Sequence, residues 1–426
     1  MDLWPLLILL ACFLIGLPIG FSLILSVIAY FASDPYLSFN IIVQRMVSST
    51  ESVSLMAIPF FVTAGAIMNY SGISARLMAL ADALVGHMTG GLGQVNVLLS
   101  TLMGGVSGSG AADAAMECKL LVPEMEKRGY DPGFSAAVTA ASACITPIIP
   151  PSIALVVFAF ICGLPTGKLL CAGYLPGFLL CLSQMFIVHR ISKKRGFKPS
   201  REKMASPAEL WKLVKEGAWA LFLPFGLILG LRIGIFSATE GGALMCVYSL
   251  FVGMFIYKEL KPKHLPIIIR DAVLSTASVM IILCAANVFS YYLSWERIPA
   301  QLSDFIINMA GNKYIFLLLV NILFLILGMF LDGTASMIIL APLFTPIAVS
   351  FGIDPIQFGL IIALNIAIGA ITPPFGLYIY IVSSTLEMRT ERVIRSLIPF
   401  ILAALGVLIL VSYVPWITTC IPNLVY

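Results

Sequence analysis

The sequence is poor in charge and in the side chains on which most enzymes depend. Charged residues make up 11% of its 426 residues, and it contains 3 histidines. Hydrophobic residues make up 60%, and the mean hydropathy is +1.02. A soluble protein of this length could not bury so much apolar side chain, whereas a polytopic membrane protein exposes it to lipid. The composition therefore predicts an all-α polytopic membrane protein.

Further absences narrow the class. The nine cysteines contain no Cys-x-x-Cys pair, so we expect packed thiols rather than disulfides or a metal site. The glycines at Gly105, Gly108 and Gly110 lack a preceding strand and a Gly-Lys-Ser/Thr signature, which argues against nucleotide binding. Asp, Glu and His do not cluster at membrane depth, so an intramembrane enzyme is disfavoured. The first apolar run has no basic region or cleavage site before it, and we expect it to be mature structure.

Apolar runs predict the membrane spans, and the charges between them predict the orientation. The candidate spans are 4–15, 17–32, 53–70, 134–162, 169–189, 218–236, 240–257, 271–293, 358–384 and 395–416. The first two are short, so they could form one tilted span or two. One loop concentrates positive charge and is therefore predicted to be cytoplasmic. Its basic residues are Arg190, Lys193, Lys194, Arg195, Lys198, Arg201 and Lys203.

Two interrupted hydrophobic stretches lie in opposite halves of the chain, and each is followed by a Thr-Pro break. The stretches are 91–128 and 314–351, and the breaks are Thr146-Pro147 and Thr372-Pro373. Unwound backbone at membrane depth is tolerated only where it is buried in protein or lines a cavity. Paired interruptions in two halves are typical of a transporter's binding site. We therefore predict inverted-topology repeats, each with a re-entrant helical hairpin and a broken transmembrane helix.

The interrupted segments offer oxygen ligands for a small cation and amide groups for an anion. Oxygen ligands of low total charge suit Na⁺. The predicted sodium-binding residues are Ser107, Gly108, Ser109, Thr146, Gly328, Asp332, Gly333, Thr334, Gly369 and Thr372. The predicted substrate-binding residues are Ser107, Ser109, Thr146, Pro147, Thr334, Thr372 and Pro373. Because no ATPase motif is present, uphill transport would have to be driven by ions, with no cofactor.

Several of these polar residues also have structural explanations. The Gly and Ser residues of the hairpins could merely permit tight helix packing. Asp113 could anchor the start of its own helix, and Glu240 could cap another. Three buried amides could bridge helices, namely Asn96, Asn321 and Asn365.

Taken together, a set of motifs spread over nearly the whole chain resembles the large membrane subunit of tripartite ATP-independent periplasmic (TRAP) transporters. These motifs are Ala57-Ile58-Pro59-Phe60-Phe61, Ser107-Gly108-Ser109 with Ala112-Asp113, Pro147-Ile148-Ile149-Pro150-Pro151-Ser152, Leu223-Pro224-Phe225, Asp332, Gly352-Ile353-Asp354-Pro355 and Gly369-Ala370-Ile371-Thr372-Pro373-Pro374. The chain departs from the family at Phe236-Ser237-Ala238-Thr239-Glu240, where Phe-Thr-Pro-Thr-Glu is usual.

The resemblance implies a Na⁺-driven importer of a carboxylate-bearing solute in a bacterial inner membrane. The solute would be a C4-dicarboxylate, sialic acid or another sugar or keto acid. An elevator-type transport domain would move against a scaffold. A small four-helix membrane subunit and a periplasmic substrate-binding protein would be its partners, with no nucleic acid. The resemblance also implies ion-site roles for the Ser107 and Asp332 tips and for Thr146 and Thr372.

On this reading the chain divides into two repeats joined by a linker. The parts are 1–90 (scaffold helices and amphipathic arm), 91–189 (transport elements: hairpin 91–128, broken helix 134–162, final span 169–189), 190–217 (cytoplasmic basic linker), 218–310 (scaffold helices and arm) and 311–426 (transport elements: hairpin 314–351, broken helix 358–384, final span 395–416). The alternatives left open are a stand-alone Na⁺/dicarboxylate symporter that needs no binding protein and, from another class, a channel.

Overall fold

The computed structural model describes residues 4–33, 37–51, 53–298, 301–302, 311–330 and 333–426, and within them the regular structure is helical, with no strand. The α-helices are α1 (Trp4–Ile15), α2 (Ile19–Ser33), α3 (Phe39–Thr50), α4 (Ala57–Met68), α5 (Ile73–Val85), α6 (Gly91–Ser107), α7 (Gly110–Leu120), α8 (Val122–Lys127), α9 (Pro132–Ser142), α10 (Ile153–Ile161), α11 (Thr166–Ala172), α12 (Tyr174–Arg195), α13 (Pro207–Ile233), α14 (Ala238–Phe251), α15 (Leu265–Trp295), α16 (Lys313–Phe330), α17 (Gly333–Ser350), α18 (Pro355–Gly369), α19 (Leu377–Thr385), α20 (Thr390–Tyr413) and α21 (Trp416–Val425).

Six helical segments in the described part of the chain are long and apolar enough to cross a membrane. They are Thr166–Arg195, Pro207–Ile233, Ala238–Ile256, Pro262–Trp295, Gly333–Ser350 and Thr390–Tyr413. Two of them extend into the predicted linker 190–217, because α12 continues to Arg195 and α13 starts at Pro207. The non-helical part of that linker is therefore confined to 196–206.

The N-terminal apolar region forms two helices rather than one tilted span. Gly16 adopts a left-handed conformation with φ of 82°, and Pro18 follows it, so the helical hydrogen-bond ladder ends there. The two helices α1 and α2 then pack against each other. The open question about residues 1–32 is thus answered in favour of two elements for the part that the structure describes.

The helices pack in two groups that both mix the halves of the chain. In the first group α4 packs against α14 and α15, while α2 and α3 also pack against α15. In the second group α9 and α12 pack against α20, and α16 packs against α18. Helix α6, the first arm of the first hairpin, contacts α4. Helix α17, the second arm of the second hairpin, contacts α15. The hairpins therefore lie between the two groups.

The broken helix begins with the same kind of N-cap in both halves. Asp131 accepts a hydrogen bond from the N–H of Phe134 at 2.9 Å. Asp354 accepts one from the N–H of Ile356 at 2.7 Å. Each aspartate precedes a proline at the first helical position, which is a favourable helix start. The two Asp-Pro pairs seen in the sequence are thus equivalent N-caps.

Two further sequence features have structural outcomes. Ser237 and Glu240 form a capping box, in which the Glu240 carboxylate accepts from the N–H of Ser237 at 2.7 Å. The structural explanation of Glu240 is therefore confirmed. The sequence places the first amphipathic arm at 71–90, with Ile73, Leu77, Leu80 and Leu84 on one apolar face; Leu77 and Leu80 are buried, but Leu84 in the last turn is 36% exposed and lies off that face. The second arm, 296–310, lies mostly outside the described residues.

Candidate functional site

The first hairpin turns on three residues between its arms. Helix α6 ends at Ser107, Gly108 takes a left-handed conformation with φ of 62°, and Ser109 is extended. The Ser109 side chain accepts a hydrogen bond from the N–H of Ala112 at 3.4 Å and caps α7. Glycine is required at the centre because a side chain would be strained at positive φ. An added Cβ there would also lie 2.6 Å from the carbonyl oxygen of Pro151. The hairpin tip therefore packs tightly against the segment of the first break.

A buried carboxylate ties this tip to the Thr-Pro break. Ser107 donates a hydrogen bond to Asp113 Oδ1 at 2.8 Å. Thr146 donates one to Asp113 Oδ2 at 2.5 Å. Asp113 is 1% exposed. From the sequence it was expected only to anchor the start of its own helix, whereas it joins two of the predicted ion-site hydroxyls.

A second carboxylate lies one helical turn further along α7 and was missed from the sequence. Glu117 is fully buried, and Ser100 donates to it at 2.8 Å. Ser142 donates to it at 3.3 Å and to Asn96 Oδ1 at 2.8 Å. The i, i+4 spacing from Asp113, which puts both acids on one helix face, was the sequence signal that could have found it.

The second break depends on close backbone approach. A Cβ added at Gly369 would lie 2.7 Å from the carbonyl carbon of Gly328, so glycine is needed at position 369, and a Cβ added at Gly328 would lie 3.2 Å from the Cα of Gly369. Thr372 donates its hydroxyl to the carbonyl of Ile368 at 2.6 Å, within its own helix end. Asp332, the predicted ligand at the second tip, lies outside the described residues.

Matching amide bridges hold the first arm of each hairpin to the broken helix behind it. In the first half the Asn96 amide donates to Thr139 Oγ1 at 2.8 Å. In the second half the Asn365 amide donates to Asn321 Oδ1 at 2.7 Å. Thr139 and Asn365 each lie seven residues before the threonine of their Thr-Pro break. The prediction that these amides bridge helices is confirmed, and the bridges occupy the same register.

The two hairpins face one cavity of about 980 Å³. Six of the predicted site residues line it, namely Ser107, Gly108, Ser109, Pro147, Gly333 and Thr334. The other predicted site residues that the structure describes do not line the cavity. Thr146 is buried beside Asp113, Thr372 and Pro373 are half-buried at the second break, and Gly328 and Gly369 contact each other. One side of the cavity therefore includes both tips together with Pro147 of the first break, whereas the two break threonines lie outside its lining.

The opposite wall is formed by α4 and α15 and was not predicted. From α15 it includes Asp271, Ser275 and Ser278, and from α4 and its end Gly65 and Asn69. The polar positions on α15 follow each other at spacings of four and three residues, which places them on one face of an otherwise apolar helix. That pattern was the available sequence signal.

The cavity has a polar end on the basic side of the molecule. Lys119, at the end of α7, and Asp271, near the start of α15, both line it. Helix α15 follows directly after the basic segment 258–263, which the charge pattern predicts to be cytoplasmic. On that prediction the polar end of the cavity would face the cytoplasm. Among the described residues no group of three or more His, Cys, Asp or Glu could hold a metal ion.

The fold and the cavity define a class. A polytopic all-helical membrane protein with two interrupted hairpins facing one solute-sized cavity is a membrane transporter of the inverted-hairpin type. The description "Tripartite ATP-independent periplasmic transporter, DctM component" belongs to the family model that matches residues 6–417. The chain belongs to this family.

Named relatives agree with this membership. The sialic acid TRAP transporter large permease protein SiaM of Vibrio cholerae is 36% identical, over 96% of this chain and 95% of its own length. The C4-dicarboxylate large permease protein DctM of Rhodobacter capsulatus is 33% identical, over 98% of both chains. The sialic acid permease SiaT of Haemophilus influenzae is 35% identical, and the chain spans 66% of its length.

A solved structure supports the fold alone. The YdaH transporter of Alcanivorax borkumensis, described as having an unusual topology, superposes with a TM-score of 0.63 at 16% identity. The alignment covers 90% of this chain and 88% of that one.

Proposed function

We propose that the protein is the large membrane subunit of a Na⁺-driven importer of a carboxylate-bearing solute. The observation that carries the proposal is the cavity between the two hairpin tips, because it brings interrupted segments of both halves to one solute-sized space. Its volume, about 980 Å³, suits a small organic acid with its water.

The hairpins supply an attractive environment for a carboxylate. Helices α7 and α17 begin at Gly110 and Gly333, and both glycines line the cavity. A helix start carries partial positive charge and free N–H groups, which favour an anionic ligand. The printed names of relatives include sialic acid, 2,3-diketo-L-gulonate and C4-dicarboxylates. All of these solutes carry carboxylates, and we extend that class to this chain.

Sodium is the proposed coupling ion, held behind the tips. In the first half the ligands would come from the cluster of Ser107, Thr146 and Asp113, whose oxygens lie within hydrogen-bonding distance of one another. In the second half Thr372 and the adjoining carbonyl groups would contribute. Two Na⁺ ions moving with a monoanion carry one net charge, worth about 2.3 kcal/mol per 100 mV. With tenfold gradients of about 1.4 kcal/mol for each ion, the total of about 5 kcal/mol supports accumulation by more than a thousandfold.

Alternating access would follow an elevator mechanism. The hairpin tips line one side of the cavity and α4 and α15 line the other, and α6 and α17 also contact α4 and α15 directly, so sliding the hairpins along that wall would carry the solute across. A small membrane subunit would widen the wall, and a periplasmic binding protein would deliver the solute. The alternative is a stand-alone symporter, which would need neither partner.

Uptake into proteoliposomes tests the proposal. We expect accumulation of a radiolabelled organic acid with the small subunit and binding protein present and an inward Na⁺ gradient. Replacing Na⁺ by K⁺ should abolish it. Uptake that persists in K⁺ would contradict Na⁺ coupling, and full uptake by this chain alone would favour the stand-alone symporter.

A further inference from the structure

A recess on the basic side of the molecule shares no lining residue with the solute cavity. It measures about 510 Å³ and lies where the start of α9, the end of α12 and the start of α20 meet. Its charged residues are Asp131, Arg195, Arg389, Glu391, Arg392 and Arg395. Four guanidinium groups against two carboxylates leave it with two net positive charges.

Asp131 neutralises only part of this charge. Its carboxylate lies 3.1 Å from Arg392 and 3.6 Å from Arg195. Partial burial raises the pKa of Asp131, but hydrogen bonds from the N–H of Phe134 and from Arg392 more than offset this, and the net shift is downward. Asp131 is therefore ionised at neutral pH and is already shared by two arginines.

The other two arginines of the recess are Arg389 and Arg395. Within the described part of the chain, no ion pair within 4.0 Å joins Arg389 or Arg395 to a carboxylate. Glu391, on the same helical turn, is likewise outside such a pair and faces the recess. Arg389 is also the N-cap of α20 and provides no side-chain cap, and a helix start favours an anionic ligand.

The helices that form the recess also carry surfaces suited to lipid. They have exposed apolar side chains a few turns further into the protein, with Leu182 62% exposed on α12 and Leu402 63% exposed on α20. Leu402 is about two helical turns from Arg395, and Leu182 is about four turns from Arg195. A ligand with acyl chains could place its polar group among the arginines and its chains along these surfaces, which a free anion could not do.

We propose that this recess binds the phosphate headgroup of an anionic phospholipid, with Arg389 and Arg395 as its principal contacts. Guanidinium groups bind phosphate oxygens through two parallel hydrogen bonds, and basic pockets at helix ends are typical headgroup sites. A lipid bound here would contact the broken helix of the first half and the final span of the second.

Native mass spectrometry of the purified protein, titrated with phosphatidylglycerol or phosphatidylethanolamine, tests the site. We expect R389Q/R395Q to weaken phosphatidylglycerol binding about twenty-fivefold, since each basic group near an anionic headgroup contributes roughly fivefold. Phosphatidylethanolamine, whose ammonium group offsets the charge of its phosphate, should bind the unaltered protein more weakly and lose less in the variant. The matched control is K193Q/K194Q, which removes two exposed charges from the end of α12 outside the recess, and it should weaken binding less than threefold.

Three outcomes would overturn the proposal. Equal losses in both double variants would mean diffuse surface charge, without a built site. Displacement of the lipid by inorganic phosphate at equal concentration would make it a site for a free anion. If the glutamine variant does not fold, R389K/R395K replaces it, because lysine keeps the charge but loses the two-pronged geometry. We expect that variant to bind about threefold more weakly, and unchanged binding would contradict the proposal.

Discussion

The two hairpin tips face one cavity, yet the groups behind them differ in chemistry. In the first half two buried carboxylates, Asp113 and Glu117, hold a cluster of serine and threonine hydroxyls. In the second half, within 313–330 and 333–385, the carboxylate present is the exposed helix cap Asp354. In that part of the second half, the groups behind the tip are side-chain amides and closely packed glycine backbones, as at Gly328 and Gly369.

The two repeats share their helix-bridging amides but differ in the described groups near the tips. The amide bridge between hairpin and broken helix occurs in both halves at the same register. Among the described residues, buried carboxylates beside a tip are seen in the first half. A carboxylate at membrane depth costs several kcal/mol unless it is paired or hydrated, so its presence in one half needs a compensating cation or hydrogen bonds. We therefore expect the first half to contribute more to cation affinity than the described part of the second.

The largest expected effect tests that asymmetry directly. Asp113→Asn keeps the side-chain volume but removes the negative charge beside the proposed ion, at a loss of about 2 kcal/mol of ion attraction. We expect the Na⁺ concentration for half-maximal uptake to rise about thirtyfold. Thr372→Ala removes one hydroxyl that already donates within its own helix, and it should raise that concentration about fivefold. Proteoliposome uptake measured against Na⁺ concentration gives both values.

The opposite order of effects in these two variants would contradict the expected asymmetry between the halves. If Thr372→Ala had the greater effect and Asp113→Asn almost none, the cluster behind the first tip would be a structural network only. Melting temperatures of both variants in detergent separate lost ion affinity from lost folding, because a pure ion-site change leaves the sodium-free melting temperature unaltered.

Much of the architecture was predictable because it depends on local signals. Long apolar runs, glycine and proline interruptions, and Asp-Pro caps act within a few residues, so helices, hairpins and breaks follow from the printed sequence. The register of the amide bridges was also partly visible, since Asn96, Asn321 and Asn365 stand out in apolar helices. The family membership follows from the same motifs taken together.

The composition of the site was less predictable because it depends on which helices meet. Glu117 lies on an ordinary-looking helix, and its burial is set by Ser100 and Ser142 from two other helices. The wall that includes Asp271 and Asn69 comes from elements far from either hairpin in sequence. Conversely, Thr146 was predicted at the solute surface on the basis of its break, but its hydroxyl is directed to Asp113.

The second expected effect concerns the backbone contact that is special to the second half. Gly369→Ala would put a methyl group 2.7 Å from the carbonyl carbon of Gly328, forcing α16 and α18 apart. Overpacking of this kind costs about 1 to 2 kcal/mol. We expect a lower melting temperature and weaker uptake. Gly406→Ala on α20 is the control, because a Cβ there meets nothing within 4 Å and alanine favours the helix.

Equal stability of the two alanine variants would show that the second break tolerates separation of its backbones. In that case the glycines would not be what distinguishes it from the first break, and the carboxylates would carry the whole difference. A Gly406→Ala variant that is itself destabilised would point instead to a lipid or partner contact at that surface.

The smallest expected effect concerns the feature that the halves share. Double-mutant cycles on Asn96 with Thr139 and on Asn321 with Asn365, each residue replaced by alanine, isolate the two bridges. Because the donor–acceptor distances are 2.8 Å and 2.7 Å, we expect similar coupling energies. Hydrogen bonds between membrane helices average about 0.6 kcal/mol in such cycles. Unfolding of the purified variants by a denaturing detergent provides the free energies.

Each bridge has an extra partner, and this is why a cycle is needed. Ser142 donates to Asn96 Oδ1 at 2.8 Å, and Asn321 donates to Ser412 of α20 at 3.0 Å, so each single asparagine-to-alanine variant should lose more stability than the coupling energy of its bridge. The cycle removes that contribution if the contacts are independent, and repeating it with Ser412→Ala tests their independence. Coupling near zero in one half would mean that the shared register is geometric only, and that the halves differ in their framework as well as at their tips.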